Sequence, residues 1–261
     1  MNDSVIIIGG GVIGLLSAWQ LSEAGYTVQL LEKAAIGQEA SWAGGGIISP
    51  LFPWRYPKEV NDLAHYSQQH YQPLCETLAD QTGIDPEWTR SGLIMPNHPV
   101  DPRFQQWADT YQQRYDHAKH ASMIQQFAPA ISPEFTQAIH LPDIAQLRNP
   151  RLLKALYAQL QQQSTVTIHT HTTVQGILHQ QGKVTGVVSQ QGHFYADKVI
   201  SCQGAWSAKL DVFQSLTTRT SPSSVIHVKP VRGQMLLFKA PQKLLQQMIL
   251  LDEGYLIPRR D

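Results

Sequence analysis

A strand, a glycine turn and a helix at the N-terminus constrain the fold more than any other stretch of this chain. Residues Ser4–Gly14 read SVIIIGGGVIG, so an apolar run of strand length leads directly into closely spaced glycines. An apolar-periodic segment continues to Gly25, and a second apolar run ends at Glu32. This order predicts a β-α-β unit that binds a dinucleotide, with Glu32 accepting hydrogen bonds from ribose hydroxyls and repelling a 2′-phosphate.

Each glycine of the first turn has a separate role in this interpretation. Gly9 permits the tight turn, Gly11 lets the backbone approach a pyrophosphate, and Gly14 lets the helix pack closely on the sheet. The N–H groups around Val12 and Ile13 then face the phosphates, because free amides and the helix dipole favour negative charge there. A structural turn without a ligand is the alternative for such a motif.

Composition and charge exclude several classes of partner. The chain has 261 residues, enough for two domains, and its 20 basic and 20 acidic residues balance. We therefore expect neither nucleic acid nor an anionic membrane as the main partner. No apolar run could span a bilayer and the start has no targeting features, so we expect a cytoplasmic protein without stable membrane insertion. Cys75 and Cys202 lack metal or redox spacing and are expected to stay reduced.

The middle of the chain predicts helices followed by an antiparallel meander. Apolar residues spaced for one buried face predict three helices, at Lys58–Thr82, Pro102–Lys119 and Arg151–Gln163. From Thr165 to Phe194 the apolar period changes to two, with glycine turns between the runs. His169 and His171 share one strand face there, but no third ligand is evident, so we predict no metal site.

The last third of the chain predicts further strands. Lys198–Cys202 predicts a strand that leads into a helix at Gly204, as in the strand-glycine-helix junction at Ser4–Gly14. An ordinary strand-to-helix turn without a ligand is an equal alternative. Val228–Phe238 predicts a long strand, and a short helix is expected near Pro241–Met248. The strand expected at Tyr255–Ile257 would lack its return strand, which leaves its backbone groups unpaired.

Together these motifs resemble the D-amino acid oxidase family of FAD-dependent enzymes, most closely the glycine oxidases of thiamine (thiazole) biosynthesis. The matching stretches are Gly9–Gly14 with Glu32, Ala40–Ile47, Asn149–Pro150, Val174, Gly204–Trp206, Pro230–Gln234 and Tyr255–Arg259. The resemblance implies an α/β fold in which a Rossmann-like FAD-binding domain is joined to a mixed α+β substrate domain with an antiparallel sheet. The expected domains are residues 1–83 with 149–220 for FAD, and 84–148 with 221–261 for the substrate.

The resemblance also implies which residues hold FAD. Val12 and Ile13 would lie at the pyrophosphate, Glu32 and Lys33 at the adenosine ribose, and the backbone of Val174 at the adenine. The residues expected at the pyrophosphate, ribityl and flavin parts are Ala40, Ser41, Gly45, Gly46 and Ile47, and Gly204 belongs to the same cofactor site. Consecutive glycines suit this role because their amides can approach the flavin without side-chain collision.

The implied reaction is oxidation of glycine, another small (D-)amino acid or a secondary amine to a 2-oxo acid, with release of ammonia. Hydride goes to the flavin, and molecular oxygen then yields hydrogen peroxide. Tyr255 matches a family tyrosine near the substrate carboxylate, with a packed aromatic as the alternative. Arg259 is either a substrate clamp or an exposed arginine at a strand end, and the second interpretation is favoured.

Two other functions stay open at this stage, and a homo-oligomer is compatible with both. One is a D-amino acid dehydrogenase that passes electrons to a quinone. The other is an inactive FAD-binding fragment, because the family continues with further strands, an arginine that binds the substrate carboxylate and a closing glycine-rich segment. We therefore expect the sequence to be truncated at its C-terminus relative to the family.

Overall fold

The computed structural model describes residues 3–209 and 228–260, which are organised in two compact units. The first unit comprises Met1–Gly44, Leu78–Pro86 and Asn149–Met235, and the second comprises Gly45–Thr77, Glu87–Arg148 and Leu236–Asp261. The second unit thus includes residues 45–77, which the expected domain boundaries grouped with the FAD-binding part. Residues 210–227, which those boundaries divided between the two domains, lie outside the described residues.

The secondary structure alternates between helices and short strands, with 3-10 turns at Pro53–Arg55 and Gly204–Lys209. The elements follow in the order β1 (Ser4–Ile8), α1 (Val12–Glu23), β2 (Thr27–Leu31), α2 (Ala40–Ala43), α3 (Lys58–Thr82), β3 (Leu93–Pro96), α4 (Pro102–Thr110), β4 (Asp116–Ala118), α5 (Ala121–Phe127), β5 (Ala138–Leu141), α6 (Asn149–Gln161), β6 (Val166–His169), β7 (Val174–Gln180), β8 (Lys183–Ser189), β9 (Gly192–Tyr195), β10 (Lys198–Ser201), β11 (Met248–Leu251) and β12 (Gly254–Leu256).

The first unit is built on a parallel sheet with the strand order β10-β1-β2-β6. Ile7 of β1 pairs with Leu30 of β2 and with Ile200 of β10, which makes β1 a central strand. Its run of apolar side chains is almost completely buried, as expected for a parallel strand covered on both faces. This arrangement brings the carboxyl ends of β1, β2 and β10 to one edge of the sheet, where ligands of such folds bind.

Two layers cover this parallel sheet. Helices α1 and α6 contact each other and the strands next to them. The antiparallel sheet β7-β8-β9 contributes a second core cluster in which Val174 and Val187 pack with Ile6, Ile8 and Leu31 of the parallel sheet. The fold class predicted from the sequence, a Rossmann-like α/β domain accompanied by antiparallel structure, is confirmed.

A five-stranded mixed sheet with the order β12-β11-β3-β5-β4 forms the second unit. Its β11 and β3 strands are parallel, and its other pairs are antiparallel. Helix α4 packs Phe104 and Trp107 against this sheet, next to Leu93, Met95 and Ile139. The predicted N-cap of α4 is present, since Asp101 Oδ1 accepts a 2.8 Å hydrogen bond from Phe104 N.

Several predicted elements differ from the structure. The helix expected over Pro102–Lys119 ends at Thr110, because the residues after it enter a left-handed turn at Gln112 and then pair as β4 with β5. The helix expected near Pro241–Met248 is absent, since Met248 starts the buried strand β11. The expected unpaired strand at the end of the sequence is also wrong, because β12 pairs antiparallel with β11.

The strand predicted over Val228–Phe238 is likewise not formed, although the structure describes these residues. The segment pairs with none of the described strands, and Leu236, Leu237 and Phe238 are largely exposed. The apolar sequence of this segment has strand propensity, but propensity alone does not form a strand, and the segment has no pairing partner among the described residues. Within the same residues, no helix combines the length and the apolarity that crossing a bilayer requires.

Candidate functional site

A cavity of about 380 Å³ opens beside the carboxyl ends of β1, β2 and β10 in the first unit. Its volume is in the range of small-molecule sites. Most of the residues predicted to bind the cofactor line it, namely Gly9, Gly11, Val12, Ile13, Glu32, Lys33, Ala40, Ser41, Val174 and Gly204. The sequence therefore located this cavity from stretches that are far apart in the chain.

The turn between β1 and α1 presents backbone donors to the cavity. A Cβ atom on Gly14 would overlap the carbonyl oxygen of Gly9, so only glycine allows this close approach. Val12 N donates to Ser41 Oγ at 3.0 Å, whereas Ile13 N donates to no acceptor among residues 3–209 and 228–260. A helix N-terminus with free N–H groups beside a cavity is an anion site, as a pyrophosphate requires.

Glu32 is a buried carboxylate at the end of β2. Its Oε2 accepts a 2.7 Å hydrogen bond from Gly10 N, and its Oε1 accepts one of 3.0 Å from Ala34 N. These bonds fix both the glycine turn and the residues after β2. Each carboxylate oxygen retains a second lone pair, so the predicted bonds to ribose hydroxyls remain compatible with this geometry.

Lys33 contacts two residues, Glu39 and Trp206, that were not predicted to bind the cofactor. Its Nζ lies 2.6 Å from Glu39 Oε1 and 4.8 Å from the centre of the Trp206 ring. The hydrogen bond from Lys33 is the main reason that the pKa of the Glu39 carboxyl lies below its usual value. Glu39 and Trp206 both line the cavity. The only signal for Trp206 in the sequence was its place in the Gly204–Trp206 junction, and Glu39 had none.

Other cavity residues also escaped sequence reasoning. Thr172 and Thr173 precede Val174, and Cys202 and Gln203 precede Gly204, so each pair adjoins a residue that was identified. Burial raises the pKa of the Cys202 thiol. No disulfide joins Cys202 to Cys75. The described residues contain no group of three or more His, Cys, Asp or Glu side chains placed to hold a metal ion.

A second group of predicted residues lies in the second unit. Ile47 forms an antiparallel bridge with Gln146, and Leu147 N donates to Gly46 O at 2.9 Å. Gly45 is buried, yet neither its N–H nor that of Gly46 donates to an acceptor within the part of the chain that the structure describes. Buried backbone donors are nearly always paired, so the unpaired amide of Gly45 indicates a place for an external acceptor, and the half-buried Gly46 offers a second donor beside it.

Tyr255 packs directly on this glycine run. A Cβ atom on Gly45 would lie 2.6 Å from Tyr255 Cε2 and 2.8 Å from Tyr255 Oη. The structure therefore brings together the residue predicted to contact the substrate and a glycine predicted to contact the flavin. Tyr255 also packs on the core of the second unit, so the aromatic packing that was the alternative is present as well.

The favoured interpretation of Arg259 as an exposed arginine at a strand end is wrong. Its guanidinium is partly buried and donates to Gly45 O at 2.7 Å, Leu147 O at 2.9 Å and Gln146 Oε1 at 3.0 Å. The error arose because these acceptors are more than a hundred positions away in the sequence.

The residues of the cavity fit FAD. The β1-α1 turn offers the free Ile13 N–H at a helix N-terminus for a pyrophosphate, and Glu32 offers lone pairs for a ribose. In the second unit, considered by itself, the unpaired amides of Gly45 and Gly46 are suited to a flavin acceptor. None of these features depends on a metal ion. The fit therefore rests on this chain's own backbone.

Comparisons with known proteins agree with this fit. A family model described as FAD dependent oxidoreductase (DAO) matches residues 4–261. The glycine oxidase of Pseudomonas aeruginosa is 39% identical over 264 residues, and that of Pseudomonas putida is 40% identical over 261. Both alignments cover 100% of this chain and 69% of the relative. The bifunctional protein ThiO/ThiG of Synechocystis is 29% identical, covering 100% of this chain and 37% of that protein.

Solved structures show the same similarity. The glycine oxidase of Bacillus cereus superposes with a TM-score of 0.81 at 27% identity, over 100% of this chain and 69% of that chain. The glycine oxidase of Geobacillus kaustophilus has a TM-score of 0.82 at 24% identity, over 99% of this chain and 69% of that chain. The resemblance identified from the motifs is confirmed, and the chain belongs to the FAD dependent oxidoreductase family, whose members use FAD as their cofactor.

Proposed function

We propose that this protein catalyses the oxidative deamination of glycine or another small amino acid or secondary amine, as part of thiamine biosynthesis. The observation that carries the proposal is the 39–40% identity to two glycine oxidases along the whole of this chain. The similarity to ThiO/ThiG proteins supports the link to thiamine. One amino acid, one O₂ and one water would give one 2-oxo acid, one ammonia and one hydrogen peroxide.

The proposed roles follow from the two groups of residues described above. Val12 and Ile13 bind the pyrophosphate, Glu32 and Lys33 the ribose, and the backbone of Val174 the adenine. The remaining cofactor contacts are assigned to Gly9, Gly11, Gly14, Ala40, Ser41, Gly45, Gly46, Ile47 and Gly204. We retain the proposal of an FAD-binding domain over residues 1–83 and 149–220 and a substrate domain over 84–148 and 221–261.

FAD supplies the chemistry of the reaction by accepting a hydride from the substrate α-carbon and passing the electrons to oxygen. The residues of the chain need only bind and orient the substrate and keep water away. The Tyr255 hydroxyl is suited to binding because it lies beside Gly45 and can donate to a substrate carboxylate. No side-chain base is required by this proposal.

Flavin content and peroxide formation test the proposal. The protein purified in the presence of FAD should be yellow. Aerated glycine or D-alanine should produce peroxide and ammonia in equal amounts, whereas sarcosine should produce peroxide and methylamine in equal amounts. A colourless protein whose thermal unfolding is unchanged by FAD would refute cofactor binding by this chain. Reduction of an artificial electron acceptor by the amino acid without peroxide in air would instead indicate a dehydrogenase.

Tyr255→Phe provides a matched variant because it removes only the hydroxyl. We expect KM for glycine to rise about tenfold, the effect of one hydrogen bond to a charged group, with FAD binding unchanged. Tyr195→Phe, at an exposed tyrosine of β9, is the control and should behave like the wild type. An unchanged KM in Tyr255→Phe would exclude the substrate role of this hydroxyl.

A further inference from the structure

Arg259 ties together two segments of the second unit, at Gly45 and at Gln146–Leu147. Its Nη2 donates to Gly45 O at 2.7 Å, and its Nη1 donates to Leu147 O at 2.9 Å and Gln146 Oε1 at 3.0 Å. A guanidinium is planar and holds its donors in a fixed fork, so these bonds set the relative positions of their acceptors. One of those acceptors belongs to a glycine whose amide lacks a partner within residues 3–209 and 228–260.

Tyr255 packs on the glycine run that these contacts hold. This tyrosine lies on β12, four positions before Arg259, and its ring and hydroxyl touch the space above Gly45. Leu147 N donates to Gly46 O at 2.9 Å, so the glycine run is held by a backbone bond on one side and by the guanidinium on the other. Arg259 therefore holds the backbone of the glycine run on which Tyr255 packs.

Arg259 also changes the electronic character of the peptide that it binds. The carbonyl of Gly45 and the N–H of Gly46 belong to one peptide group. A charged donor on the carbonyl oxygen withdraws electron density from that group, which makes the N–H a stronger donor. The hydrogen bond at 2.7 Å is in the range of charge-assisted bonds. The Gly46 N–H makes no bond of its own within the described residues.

We propose that Arg259 is a positioning residue for the flavin ring. It orients and polarises the Gly45–Gly46 peptide so that the Gly46 N–H is presented to a flavin acceptor. Arg259 acts through the backbone and does not bind the substrate. This inference rests on the proposed function, because it requires that the glycine run contacts FAD.

Three variants test the inference. Arg259→Met keeps the length of the side chain but removes every donor. Arg259→Lys keeps the charge but can bond fewer of the three acceptors at once. Arg260→Met removes the neighbouring arginine, which donates hydrogen bonds to Trp88 O and Thr89 Oγ1. For each protein we would measure thermal unfolding without FAD, the Kd of FAD, and the absorbance and circular dichroism of the bound flavin.

We expect Arg259→Met to bind FAD about 10- to 100-fold more weakly, since a hydrogen bond to a charged group and the order of the glycine run are lost. At saturating FAD, well below the unfolding temperature, its flavin bands should differ in position and shape from those of the wild type. A purely structural role would lower the unfolding temperature without altering these bands. For Arg259→Lys, the Kd of FAD and the flavin bands should lie between those of Arg259→Met and the wild type. For Arg260→Met, both should match the wild type.

The outcomes separate this inference from the proposed function. A wild-type protein that does not bind FAD would overturn both. A wild-type protein that binds FAD, together with an Arg259→Met variant of equal Kd and identical flavin bands, would overturn the inference alone. If Arg259→Met does not fold, Arg259→Lys decides, because a Kd and flavin spectrum equal to those of the wild type would equally exclude the positioning role.

Discussion

Replacement of Glu32 by glutamine should destabilise the first unit strongly despite the similar shape of the two side chains. Glu32 is 8% exposed, and its two oxygens accept from Gly10 N at 2.7 Å and from Ala34 N at 3.0 Å. Glutamine has one oxygen and one NH₂ group, so one backbone N–H would face another donor. Either orientation of the amide leaves this conflict.

The magnitude follows from these two bonds. An unsatisfied buried N–H costs about 1–3 kcal/mol, and exchanging the remaining charged acceptor for a neutral one costs about 1 kcal/mol more. The free energy of unfolding should therefore fall by about 2–4 kcal/mol in Glu32→Gln. For a unit of this size, that corresponds to a decrease of roughly 4–16 °C in Tm.

Thermal and denaturant unfolding of the apoprotein, followed by circular dichroism, would measure this change. Glu23→Gln is the matched control, because Glu23 is exposed and accepts a 3.2 Å bond from Gln163 Nε2 that an amide oxygen can still accept. Its unfolding free energy should stay within about 0.5 kcal/mol of the wild type. If Glu32→Gln also stayed within that range, the carboxylate would not be needed to satisfy the two amides.

Three further predictions concern separate parts of the molecule. Gly14→Ala should prevent native packing of the first unit and abolish FAD binding, as circular dichroism and flavin titration would show, because its Cβ would overlap a backbone oxygen. Asp101→Ala should cost about 1 kcal/mol in denaturant unfolding, because Phe104 N loses its cap, whereas Asp101→Asn should cost less. Burial lowers the pKa of His98 in the folded state below the ordinary value of 6.5. As the pH decreases through 6.5, the unfolded state therefore binds a proton before the folded state does, and the free energy of unfolding should decrease until the folded state is also protonated. His98→Gln should flatten this dependence in unfolding curves taken between about pH 7 and 5, and an equal slope in both proteins would contradict the cause given.

Most residues that line the cavity of the first unit could be predicted from the sequence because their signals are local. The β1-α1 turn is specified by glycines within a few positions of one another, and Gly204 lies in a short strand-glycine-helix junction, whereas Val174 was identified only through the family resemblance. The interactions that complete the sites could not be found in this way. The contact between Arg259 and Gly45 O joins residues that are 214 positions apart, and nothing near either residue indicates the other.

Errors in the secondary structure have a related cause. The residues after Thr110 have helical periodicity, but pairing with β5 determines their conformation as β4. Met248 was assigned to the end of a helix, but it pairs with Leu93 in β11 and is buried there. In both cases a tertiary contact outweighed a weak local preference.

The position of β1 at the centre of the parallel sheet has a consequence for synthesis of the protein. Ser4 and Asp197, which hydrogen-bond beside the β1-β10 pair, are 193 positions apart. At translation rates of about 5–20 residues per second, the first strand waits roughly 10–40 s before β10 leaves the ribosome. During that interval the apolar edge of β1 has no permanent neighbour on one side. The nascent chain is therefore exposed to misassociation at its earliest strand, and holding by chaperones would matter most there.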